Sequence, residues 1–172
     1  MNIIVRQSFW SSIVIYVGVV LGFVNSIILF PQFLSTEQIG IVRQLISAAT
    51  LLIPITTFGV NASYVKFYPN FVDDKNQKNQ FFIYELTVIL LSYCVVFAFL
   101  NLFYEDIRAL FTEKSRILFN YFDVFLLILF CLSISTLFES FLRARYDTVI
   151  TNVVNGVSNR ILTALTLILF ST

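Results

Sequence analysis

Histidine is absent from this 172-residue chain, so the side chain that most often moves protons near neutral pH takes no part in its chemistry. It also has no GxSxG, no HExxH and no glycine loop of the kind that cradles phosphate. Nucleophilic, metal-assisted and histidine-based catalysis therefore lack a visible apparatus, and the expectation is a protein that is not an enzyme and needs no cofactor. Charged residues are scarce at 12%, against roughly 25% in soluble domains. The net charge of +1 leaves no basic footprint for nucleic acid. Cysteine is limited to Cys94 and Cys131, isolated within apolar runs. They read as packing residues and say nothing about redox compartment.

What fills the chain instead is hydrocarbon: 58% of residues are hydrophobic and the mean hydropathy is +0.87. A bilayer core about 30 Å thick needs roughly 20 apolar residues per helix. Five stretches qualify, at about 8–30, 43–66, 81–103, 119–141 and 148–170, which predicts an all-α integral membrane protein with about five transmembrane helices. The first is too long for a secretory signal, lacks a small-residue cleavage pattern and is followed by four more spans.

Orientation follows from the cations. With the N-terminus inside, the inner segments hold Arg6, Lys66, Lys75, Lys78, Arg143 and Arg145, and the outer ones Arg43, Arg108, Lys114 and Arg116. Six against four favours a cytoplasmic N-terminus. The connections at 70–80 and 104–116 are short and polar. Asp73 and Asp74 could suggest metal-dependent transfer, but they sit in a loop rich in Asn, Gln and Lys that reads as solvated.

Between the first two spans lies FPQFLSTEQIGIVRQ. Ser35 followed three residues later by Gln38 forms a capping-box pattern, with Leu34 and Ile39 placed for the hydrophobic staple, so a helix is predicted to start at Thr36. Pro31 is expected to end the helix before it. Gly40 permits a bend or close packing. Pro54 should kink the second span, whose Arg43, Ser47, Thr50, Pro54, Thr57, Asn61 and Tyr64 recur at alternating steps of four and three along one stripe.

Pro31, Leu34-Ser35, Glu37 and Gly40, followed by Pro54, Gly59 and Tyr68-Pro69, resemble the N-terminal region of bacterial polysaccharide and oligosaccharide flippases. That superfamily also contains the multidrug and toxin extrusion transporters and the lipid-linked peptidoglycan precursor flippase. The chain departs from the usual pattern at Gln38, where an acid is expected, and at Ile39, where an aromatic is common. The matching residues are structural and carry over a fold rather than a substrate. The resemblance implies two related helical bundles with more helices than are present, so residues 1–172 are expected to be an N-terminal transmembrane bundle, as a fragment. A small oligomerising subunit is the alternative.

Helix faces can be read without the family. The first span carries Ser11, Gly18, Gly22 and Asn25 on one stripe, including a small-xxx-small pair suited to close helix packing. In the fifth, Thr148, Asn152, Asn155, Gly156, Asn159, Arg160, Thr163 and Thr166 fall within an arc of about 140° at 100° per residue, opposite a largely aliphatic side. Arg160 is the sharpest residue of the set. It lies about 18 Å along the helix from Thr148, near mid-membrane and too deep for snorkelling. Intramembrane charges usually face a bundle interior or an aqueous cavity. The acids Glu85, Asp123 and Glu139 each sit close to the end of a span, at another depth.

The resemblance implies a transporter of the bacterial inner membrane, its N-terminus cytoplasmic, that flips polyprenyl-pyrophosphate-linked oligosaccharide for surface polysaccharide, such as lipopolysaccharide, by alternating access. Membrane lipids and the glycan polymerisation machinery would be its partners. Arg160 would attract pyrophosphate, while Asn152, Asn155, Asn159, Asn61 and Asn25 would hydrogen-bond sugars. A cation-coupled multidrug exporter of the same superfamily would prefer acids at mid-membrane, and a non-transporting scaffold would need no polar face.

Overall fold

A computed structural model describes residues 3–68, 75–111, 116–144 and 148–170. Asp73, Asp74, Pro69, Lys114 and Arg145 lie outside the described residues, as do the side chains of Thr148 and Asn155. The described chain is helical almost throughout and has no strand. Arg6–Phe33, Thr36–Thr57, Asn76–Leu102 and Arg116–Ala144 are each long and apolar enough to cross a membrane. Within bilayers only helices and closed barrels satisfy every backbone polar group, which is why so apolar a chain takes this form. These are four of the five expected spans; the fifth stretch is helical from 148 to 170 but is not among those long and apolar enough to cross.

Contacts divide the chain into two compact units, Met1–Gly40 with Arg145–Thr172, and Ile41–Ala144. In the first unit, helix α1 (Ile3–Phe23) passes through a π-helical turn at Val24–Leu29 into a last α-turn, α2 (Phe30–Phe33). Pro31 does not end the helix as expected: it occupies the start of that last turn, and the chain leaves helical geometry only at Leu34, with φ −124° and ψ 142°. The wider π turn directly before it gives the proline ring room where an α-turn would present a carbonyl. Helix α3 (Thr36–Thr57) then starts at the residue predicted. Its cap is reciprocal: Gln38 N–H donates to Ser35 Oγ at 3.3 Å, and Ser35 N–H donates to Gln38 Oε1 at 2.8 Å.

The second span is not one helix over 43–66. Helix α3 runs through Pro54 and stops at Thr57, where the Thr56 and Thr57 hydroxyls donate back to the Ile53 carbonyl at 3.1 and 2.9 Å. Such back-bonding loosens a helix's last turn. Phe58 (φ 47°) and Gly59 (φ 78°) reverse the backbone twist, and α4 (Val60–Phe67) starts anew. The break therefore falls at the left-handed pair rather than at the proline. The second unit continues through α5 (Lys75–Leu102), α6 (Tyr104–Leu110), a 3-10 turn at Arg116–Tyr121 and α7 (Phe122–Ala144). The connection expected to be simply polar thus contains α6, whose Tyr104 ring packs edge-on against Phe119 and Phe122.

The second unit's core is aromatic at one end. Tyr64, fully buried, stacks between Tyr68 and Phe81 at 5.4 and 5.1 Å, over Ile89 and Leu137. Large apolar side chains face outward, among them Leu51, Phe58 and Leu102, each more than three-quarters exposed. Lipid is as apolar as a core, so helices in a membrane are held by shape and hydrogen bonds rather than by apolar burial. Buried and part-buried polar pairs supply these bonds: Thr56 with Ser133 at 2.7 Å, Ser63 donating to Glu85 at 2.8 Å, and Ser140 donating to Asn61 at 3.0 Å.

Candidate functional site

The site is built in the first unit, where α1 packs against the last helical stretch. That stretch consists of α8 (Thr148–Asn152), a second π turn at Val153–Ser158, and α9 (Asn159–Phe170). The approach is close because neither side has a side chain at the crossing. A methyl carbon placed on Gly18 would stand 2.9 Å from the Gly156 carbonyl oxygen. The small-residue stripe predicted for packing does pack, backbone to backbone.

One turn further along α1, Gly22 faces the head of Arg160: a methyl there would be 2.6 Å from Nη1 and 2.7 Å from Cζ. Asn25, another turn on and buried, donates from Nδ2 to the Arg160 carbonyl oxygen at 2.8 Å. The arginine is half-buried, and its Nη1 is buried without a hydrogen-bond partner among the described residues. The ion pairs among those residues are Arg108–Glu105 and Arg143–Glu139, and Arg160 has none. A buried guanidinium donor left without an acceptor costs about 1–3 kcal/mol or more, which makes it a strong potential anchor for an anion.

The remaining predicted residues divide. Asn152 is half-buried and Asn159 exposed, both on the same stretch as Arg160, while the Asn155 side chain is outside the described residues. Asn61 belongs to the second unit, where its Oδ1 accepts from Ser140. The polar arc computed at 100° per residue needs correction. The π turn at Val153–Ser158 bonds i to i+5 and turns less per residue, so positions beyond it are rotated relative to those before it. Neither π turn was foreseen, and Gly156 is the one sequence signal at the second.

The acids considered as partners are engaged or exposed: Glu85 is buried and accepts from Ser63, Glu139 lies 3.4 Å from Arg143, and Asp123 is exposed. A cavity of about 280 Å³ in the second unit is lined by Leu45, Leu52, Leu100, Phe111, Phe119 and other apolar residues, with Gln44 its sole polar member. Such a lining offers nothing to recognise a sugar or a phosphate.

A multi-pass helical membrane protein with a cation set into a helix seam is the class these features define. The family can be stated too: residues 4–172 match the sequence model of the polysaccharide biosynthesis protein family, and the chain belongs to it. No curated protein and no solved structure matches.

Proposed function

We propose that this protein moves a polyprenyl-pyrophosphate-linked oligosaccharide from the cytoplasmic to the periplasmic leaflet of the bacterial inner membrane, supplying surface polysaccharide assembly. The observation that carries this reading is the Arg160 guanidinium, half-buried on an apolar helix with its Nη1 donor unpartnered among the described residues. Family membership supports a glycan substrate. If the glycan travels on a lipid through an anionic linker, a cation held on an apolar helix recognises that linker whatever sugars follow. Asn159 directly precedes Arg160, and Asn152 and Asn155 lie earlier on the same stretch; all three carry amide donors and acceptors for sugar hydroxyls. No bond is made or broken, so the task needs alternating access and no catalytic group.

The test replaces the charge in the full chain expressed in cells. Arg160→Lys keeps a point charge and should retain part of the glycan export. Arg160→Ala and Arg160→Gln should lose most of it while membrane levels of the protein stay near normal. If the cation instead balanced a buried carboxylate, neutralising it would strand that partner and the protein would disappear from the membrane. Full export by well-expressed Arg160→Ala would eliminate the reading.

A further inference from the structure

Two glycines on one face of α1 meet the last helical stretch in different ways. Gly18 opposes backbone: a methyl there would collide with the carbonyl oxygen, carbonyl carbon and Cα of Gly156, at 2.9, 3.2 and 3.3 Å. Backbone cannot step aside without moving the helix, so Gly18 holds the seam together. Gly22 opposes the tip of a long side chain, with Nη1, Cζ and Nε of Arg160 at 2.6, 2.7 and 3.1 Å from the same added carbon. A guanidinium can swing away at little cost to packing, so the bare backbone at Gly22 is not needed to bring the helices together.

We propose that Gly22 is a positioning residue for Arg160: by having no side chain, it lets the guanidinium lie flat against α1 and sets where the cation meets an anionic ligand. Asn25 completes the arrangement one turn later. Its hydrogen bond to the Arg160 carbonyl fixes the backbone from which the side chain starts, while Gly22 fixes where it ends. Root and tip of the arginine are thus both set by residues three apart on one helix face. The guanidinium keeps its planar fork in one orientation, as bidentate recognition of a phosphate requires. This inference rests on the reading of Arg160 as the anion-binding group.

The experiment uses the full chain in membranes as four variants: Gly22→Ala, Gly18→Ala, Arg160→Lys, and Gly22→Ala combined with Arg160→Lys. Membrane abundance and glycan export are measured for all four, and for the parent and the glycine variants that keep Arg160 also the rate at which the arginine reagent phenylglyoxal modifies it, by mass spectrometry, with and without inorganic pyrophosphate. Gly22→Ala should keep normal abundance, raise the modification rate severalfold, weaken protection by pyrophosphate, and lower export by roughly tenfold or more. With the flexible Lys at 160, the Gly22→Ala substitution should cost little further export, because the two residues act on one geometry and their effects do not add. Gly18→Ala should lower abundance instead.

Three outcomes would overturn the proposal: loss of Gly22→Ala protein from the membrane, as for Gly18→Ala; an unchanged modification rate; or independent, additive losses in the double variant. A raised modification rate with undiminished export would leave the placement of the guanidinium standing and sink the ligand role of Arg160.

Discussion

The side-chain amide of Asn25 donates to the carbonyl oxygen of Arg160 at 2.8 Å, joining residues 135 positions apart. The carbonyl has two lone pairs, one for its own helix and one for Asn25. This bond ties the first helical stretch of the unit to the last, at Arg160.

Its removal has a bounded effect. Interhelical hydrogen bonds in membranes average about 0.6 kcal/mol and reach about 1.7 kcal/mol. Asn25→Ala should therefore lower thermal stability in detergent by an amount in that range and reduce export, since the turn bearing Arg160 loses its tether. Asn25→Leu keeps the volume with no donor and should behave no better than Asn25→Ala. An Asn25→Leu protein as stable and active as the parent would show that the bond does not form.

The left-handed turn between α3 and α4 offers a separate check in the second unit. Gly59 has φ 78° and no neighbour within 4 Å of an added Cβ, so Gly59→Ala is penalised by backbone strain alone, about 1–2 kcal/mol. Phe58, at φ 47° and 78% exposed, already bears that strain, and Phe58→Gly should relieve part of it. Melting midpoints that move down for the first variant and up for the second are expected. A continuous helix through these positions would give the opposite pattern, because Ala favours a helix and Gly weakens it.

Topology can be read with single cysteines at Asn76 and Thr112 in a background lacking Cys94 and Cys131. With a cytoplasmic N-terminus, an impermeant thiol reagent should label Thr112→Cys in intact cells and reach Asn76→Cys only after permeabilisation. The reverse pattern would invert the orientation drawn from the cation distribution.

Much of the architecture was legible because membrane helices obey constraints that a single sequence displays. Length and hydropathy located four spans, since hydrocarbon tolerates no unpaired backbone, while the fifth stretch is helical but is not among them. The reciprocal bonds between Ser35 and Gln38 were readable because a cap involves neighbours in sequence. Gly18 and Gly22 announced a packing stripe, and Arg160 announced a polar seam.

Tertiary structure decided which surfaces those features meet. Gly18 and Gly22 look alike in sequence, yet one meets the Gly156 backbone and the other a guanidinium, because the partner lies more than a hundred residues away. Asn25, expected to hydrogen-bond sugars, donates its amide to the Arg160 carbonyl. Asn61 and Glu85 proved to be hydrogen-bonded to Ser140 and Ser63. The π turns and the break at Phe58-Gly59 escaped a reading by helical period, since that period presumes an unbroken ladder. Composition and spacing determined that this chain is a membrane-spanning helical protein with a cation, Arg160, among apolar residues. Where that cation rests, and what holds it there, depends on contacts between distant residues, and helical period alone does not encode them.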